Sequence, residues 1–172
     1  MSGNKEYSSW HKSVVQTLNT RPHAVAMVRG GEMHSEVLGI VRFYQTDKGV
    51  LVATEVTGLP NPQSTCGNSI FAIHIHGGSS CQGNVSAPFA EAMGHYNPDN
   101  CPHPYHAGDL PPLFANKGYA FSVFLTDRFT VDEIVGKTVI IHTKPDDFTS
   151  QPAGNSGEKM ACGVIHRSFR KP

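Results

Sequence analysis

From His23 onward the hydrophobic positions fall in short runs that alternate with polar ones, the period of a strand buried on one face. His23 to Val28 is the first run, and Gly30-Gly31 marks a turn. In Glu36 to Tyr44, Val37, Gly39, Val41 and Phe43 alternate with Leu38, Ile40 and Arg42. Asp47-Lys48-Gly49 then turns the chain and Val50 to Thr57 runs back, which predicts antiparallel hairpins. Ile70 to His76, Tyr119 to Leu125, Thr138 to His142 and Met160 to His166 read as further strands, with a turn region from Asp127 to Gly136. Upstream the period changes. Glu6 to Asn19 sets Trp10, Val14 and Leu18 at i, i+4 and i+8 behind a Ser8 or Ser9 cap, which predicts a short amphipathic helix. Thr20-Arg21-Pro22 ends it, because a residue before proline is pushed out of the helical region.

Between the strands lie Gly58 to Ser69, rich in Pro, Asn and Ser, and two longer irregular stretches. Gly77 to Asn116 runs for about forty residues without periodicity, far beyond an ordinary strand connection, so it reads as a functional loop tied down by something other than regular structure. Thr143 to Glu158 is the second. The expected fold is all-β: a Greek-key barrel or sandwich of about eight antiparallel strands, with a long metal-binding loop and a second active-site loop. Residues 1–20 form an N-terminal extension and residues 21–172 one β domain.

Composition narrows the partners. The 172 residues carry a net charge of zero and a pI near 7.1, so no global field recruits nucleic acid or an acidic membrane surface. No apolar run approaches the ~20 residues of a spanning helix, and Met1 to Thr20 lacks the apolar centre of a secretory signal. The expectation as the sequence stands is a cytoplasmic protein, with an exported or periplasmic one as the alternative if a leader was removed. Cys66, Cys81, Cys101 and Cys162 show no CxxC spacing, which argues against a zinc knuckle or a thioredoxin-type motif.

The chemistry concentrates in the long loop and its flanks. His74 and His76 stand two apart on a strand, so both rings project from one face and can grip one ion together. His103, His106 and Asp109 form an H-x2-H-x2-D arrangement in a loop, where three side chains can converge on zinc, and His95 between Gly94 and Asn97-Pro98 is the natural fourth ligand. The HxH pair with His142 gives three nitrogens, and four nitrogens in a flattened array suit copper(II). His95 can complete that set too, since an imidazole that loses its proton offers a nitrogen on each side. His11, His23, His34 and His166 fall outside every motif and read as surface or packing residues, as do Tyr96 and Tyr105.

Ala72-Ile73-His74-Ile75-His76, Gly94-His95-Tyr96-Asn97-Pro98, His106-Ala107-Gly108-Asp109-Leu110, Val139-Ile140-Ile141-His142, Asp146-Asp147 and the run Gly154 to Ile165 resemble, in order, the motifs of copper/zinc superoxide dismutases of the prokaryotic type. The resemblance covers about Ala24 to Ile165. It implies one copper and one zinc per chain, with His74, His76, His95 and His142 on copper and His95, His103, His106 and Asp109 on zinc. It further implies that Asp146 links a copper histidine to a zinc histidine, that Cys81 pairs with Cys162, and that His95 and Lys159 are the catalytic pair. Lys159 stands where the family usually carries arginine, and a lysine offers a point charge without the planar fork. The implied reaction is disproportionation of superoxide to dioxygen and hydrogen peroxide. A copper-binding relative of weak or no activity is the alternative, because a fold alone does not fix function. A homodimer and a copper donor protein are the partners the resemblance allows besides superoxide. Cys66 and Cys101 match no position of the family, and a bridge between them is left open.

Overall fold

A computed structural model describes residues 14–62 and 66–168. Among the described residues nine strands follow one another: β1 (Ala24–Gly30), β2 (Leu38–Thr46), β3 (Gly49–Thr57), β4 (Ile70–Phe71), β5 (Ile73–His76), β6 (Leu113–Phe114), β7 (Ala120–Thr126), β8 (Thr138–His142) and β9 (Lys159–Arg167). Seven make one antiparallel sheet in the order β5-β8-β9-β1-β2-β3-β7, and β4 pairs with β6 apart from it. The chain leaves β3 for the far edge, returns to β3 as β7, and crosses again to β8, which is Greek-key connectivity.

The period-two reading of the sequence explains how this sheet closes. Val28, Val41, Phe43 and Val52 from the middle strands share one buried cluster with Ile73, Ile75, Val139, Ile141 and Ile165 from the other end. Two ends of one sheet can bury the same core only if the sheet curls on itself, as in a β-barrel. Odd positions of β5 and β8 therefore point inward, and the even positions His74, His76, Ile140 and His142 point outward.

The expected strand from Ile70 to His76 is two strands. Ala72 between them donates its N–H to the Lys144 carbonyl and accepts from His142 N, which ties this break to the chain leaving β8. β6 lies inside the stretch expected to be irregular, because two residues are too few to show a period. The expected turn at Asp127 to Gly136 contains a short helix, Val131–Ile134, whose entry is closed by the Glu133 carboxylate accepting from Thr130 N and Oγ1. Of the expected N-terminal helix, residues 14–18 are helical, and Val14 and Leu18 pack on Tyr44, Leu51 and Ala53 of the outer sheet face. Residues 6–13, with Ser8, Ser9 and Trp10, lie outside the described residues.

β9 departs from alternation at one place. Ile141 faces Ala161 but His142 faces Lys159, so Met160 is an extra residue in a bulge. Met160 and Ala161 both enter the core, and Lys159 emerges on the same outer face as His142.

Candidate metal centre

β5 is an edge strand of the sheet, and the long loop covers that edge. Ile75 N donates to Gly108 O, Tyr96 N to Ile75 O and Gly108 N to Tyr96 O, so His76 bridges His95 and His74 bridges Asp109 as if the loop were a further strand. Gly108 is needed here, since a Cβ would run into the Ile75 carbonyl. The loop is anchored a second time by the Cys81–Cys162 disulfide, which ties it to β9. Cys66 and Cys101 are free, so the bridge left open between them is absent.

Two groups of donors result, and they share one residue. His74, His76, His95 and His142 each offer an atom within 4.8 Å of the others, and so do His95, His103, His106 and Asp109. In the first group every ring has its outer nitrogen occupied. His76 Nδ1 donates to Met93 O at 2.8 Å, His142 Nδ1 to Gly157 O at 3.3 Å, and His74 Nε2 to Asp146 Oδ2 at 2.8 Å. Those bonds leave lone pairs on His76 Nε2 and His142 Nε2, which face each other at 3.3 Å and so cannot satisfy one another. His74 Nδ1 and His95 Nε2 are buried with no partner. Converging lone pairs without donors are costly when buried, and a cation removes that cost.

The second group has the same signature. His103 Nε2 donates to Asp146 Oδ1 at 2.9 Å, so Asp146 holds one ring of each group and fixes both orientations. His103 Nδ1 has no hydrogen-bond partner, although Asp109 Oδ2 lies 3.1 Å from it. His95 Nδ1 is 2.7 Å from Asp109 Oδ1, and His106 Nδ1 is 3.3 Å from Asp109 Oδ2 and 3.4 Å from His95 Nδ1. Three imidazoles and a carboxylate suit zinc, and four imidazoles suit copper. The donor sets thus fit both ions.

Burial keeps His74, His76 and His142 neutral. It pushes His76 down to about 2 and His142 to about 3, and it lowers His74 against the raising effect of Asp146. Neutral imidazole is the ligating form. For Asp146 burial pulls upward, but hydrogen bonds from His74, Phe148 N and His103 win and bring it to about 2. Asp109 is likewise lowered, against burial, by the hydrogen bond from His95 and by His95, His103 and His106 around it.

A cleft of about 630 Å³ opens onto His76, His95 and His142, with Lys159 and Met93 in its wall and Ser150 to Ala153 along one side. Lys159 Nζ donates to Phe89 O at 3.0 Å and Met93 O at 2.9 Å, and burial lowers its pKa. His23, His34 and His166 belong to neither donor group, and His11 lies outside the described residues. His23 Nδ1 instead accepts from Gln45 N, and Tyr105 is exposed.

The roles of three supporting residues were not visible in the sequence. Gln151 grips the His103 main chain twice, accepting from N at 3.0 Å and donating to O at 2.7 Å. Arg128 Nη1 reaches the carbonyls of Pro104, His106 and Asp109 at 3.1 to 3.4 Å. Gly154, at φ +64°, packs where a Cβ would strike Asp146 and His103. Glycine between Asp147 and Asn155 was the one available signal, but which groups it had to clear was not visible.

The family described as copper/zinc superoxide dismutase matches residues 37–165. Superoxide dismutase (Cu-Zn) 2 of Aquifex aeolicus is 34% identical over 145 residues, 76% of this chain and 80% of the relative. The Cu-Zn superoxide dismutase of Escherichia coli strain K12 is 34% identical over 143 residues, 74% of this chain and 78% of its own. The solved Cu/Zn superoxide dismutase from Brucella abortus superposes with a TM-score of 0.69 at 23% identity, covering 82% of this chain and 98% of that one, a likeness of fold.

Proposed function

The chain belongs to the copper/zinc superoxide dismutase family, and from that premise we propose how its own residues disproportionate superoxide. Two superoxide ions and two protons become dioxygen and hydrogen peroxide. His74, His76, His95 and His142 would hold copper, and His95, His103, His106 and Asp109 would hold zinc. Copper would supply one-electron chemistry in both directions, and zinc would supply a structural cation.

The observation that carries this reading is His95. Its Nδ1 lies with the Asp109 group while its buried, unpartnered Nε2 lies with the other three imidazoles at the base of the cleft that His95 lines. Nε2 is therefore the atom that takes up a proton and surrenders it to the reduced oxygen species in the cleft. Asp109 holds the ring from the other side. Asp146 keeps His74 and His103 in the tautomers that leave Nδ1 free.

Lys159 supplies the attraction. A molecule of zero net charge has no overall field to draw an anion, so a local cation in the cleft wall must do it. The carbonyls of Phe89 and Met93 hold the ammonium there. Self-association through the outer face of β7, where Phe121 and Leu125 stand exposed, and contact with a copper donor protein complete the proposal.

Metal analysis of the purified chain with a superoxide-consumption assay tests it. One copper and one zinc per chain with superoxide consumed far above its spontaneous decay is the expected result. Zinc in both positions under copper-replete conditions, or copper bound with no acceleration, overturns it.

A further inference from the structure

Met93 stands at the cleft with a backbone that methionine rarely adopts. Its φ is 62° and its ψ is −151°, a region left almost entirely to glycine. Three bonds hold it there: its N–H donates to Ala90 O, and its carbonyl accepts from both His76 Nδ1 and Lys159 Nζ. Glycine would make the same three bonds without strain. The side chain, 65% exposed and lining the cleft beside His76, His95 and His142, is what glycine would lack.

The other lining residues show what that side chain can do. Outside the imidazoles and Met93 itself, the described residues of the cleft wall are amides, hydroxyls, small residues and Lys159, with no carboxylate among them. A hard divalent cation arriving from solution finds no anionic oxygen at the rim and meets the charge of Lys159. The thioether of Met93 is the soft donor in that lining, and thioether with imidazole is a ligand set that favours copper(I). A monovalent ion is also repelled half as strongly by Lys159 as a divalent one. We propose that Met93 is an entry ligand for copper(I), taking the reduced ion at the mouth of the cleft before it passes to His76 and its neighbours. This rests on the reading of the four-imidazole group as the copper site.

Transfer of copper(I) from its coloured bicinchoninate complex to the zinc-loaded full chain tests it, with copper content at completion measured separately. Met93→Leu and Met93→Gly should both load several-fold more slowly than the parent while reaching the same final copper content; Met93→Gly also removes the strain, so a folding defect cannot explain a slow rate in both. In the parent carrying methyl-labelled methionine, silver(I) as a redox-inert stand-in should shift the Met93 methyl signal before those of Met27 and Met33, which are exposed elsewhere. Equal loading rates in all three proteins, slowing by only one of the two substitutions, or simultaneous shifts of the three methyl signals overturn the entry role. A parent that takes up no copper overturns the copper-site reading itself, and the entry role with it.

Discussion

The two donor groups are built in opposite ways. His74, His76 and His142 sit on β5 and β8, where sheet register sets each backbone and alternation sets each face. His103, His106 and Asp109 sit in a loop, and their backbone is held by side chains from elsewhere: Gln151 on His103, and Arg128 on the carbonyls around His106 and Asp109. A strand-borne site is paid for by the core behind it, whereas a loop-borne site depends on its clamps and on the ion. His95 and Asp146 join the two, one as a shared ring and the other as a shared acceptor.

Acid should separate the groups most. His74, His76 and His142 have folded pKa values below their unfolded value of 6.5, because burial disfavours the charged ring. The unfolded chain therefore binds protons that the metal-free folded chain refuses. The stability of these neutral rings is fully present above the unfolded value and is lost as pH falls from there toward about 3 for His142 and about 2 for His76. Each ring contributes a slope of up to about 1.4 kcal/mol per pH unit. Denaturant titration of the metal-free protein from neutral to mildly acidic pH should show this loss, and a flat profile would show that the strand-borne rings are not held neutral.

Removing the shared ring should cost nearly as much. His95→Ala takes the proton carrier away and leaves three donors in each group, so turnover should drop by about 10²-fold or more. Asp146→Asn keeps the shape but presents an amide N–H to one of two imidazole N–H groups. Both metal affinities should weaken, by about 10- to 100-fold, and competition with chelators would show whether copper and zinc fall together. Loss at one site alone would break the idea that this carboxylate serves both.

Smaller effects follow on each side. Lys159→Glu should slow the reaction with superoxide while both metals stay bound, and its rate should fall less with added salt than the parent's, or rise. Identical salt profiles would remove Lys159 from the attraction. Gln151→Ala strips two hydrogen bonds from the His103 main chain, worth about 1 kcal/mol each. Zinc affinity should drop several-fold with copper affinity unchanged, and an equal loss of both would show that the second loop supports the strand-borne group as well.

The strand-borne half was legible in the sequence because period two is a local property. Ile73 and Ile75 inward require His74 and His76 outward, and the same parity places His142. Spacing grouped His95 with His103, His106 and Asp109, and the motifs in order carried the family and with it the pairing of Cys81 with Cys162. Gln151 and Arg128 were not legible, since a clamp on main-chain atoms can come from any residue that happens to reach, and Gly154 stood in a motif that did not show which side chains it clears. The break at Ala72, the short β6 and the bulge at Met160 were hidden for a related reason: each is fixed by partners distant in sequence.

The sequence by itself thus determined which faces of the strands are buried, which side chains can bind metal, and the family they belong to, because those follow from residue type and spacing. Only the tertiary structure decided that Lys159 emerges beside His142, that Gln151 and Arg128 clamp the loop-borne ligands, and that Met93 is bent into a glycine-like backbone to stand at the cleft. Each of these depends on register, loop closure or a long-range hydrogen bond, which exist only once the barrel has brought distant segments together.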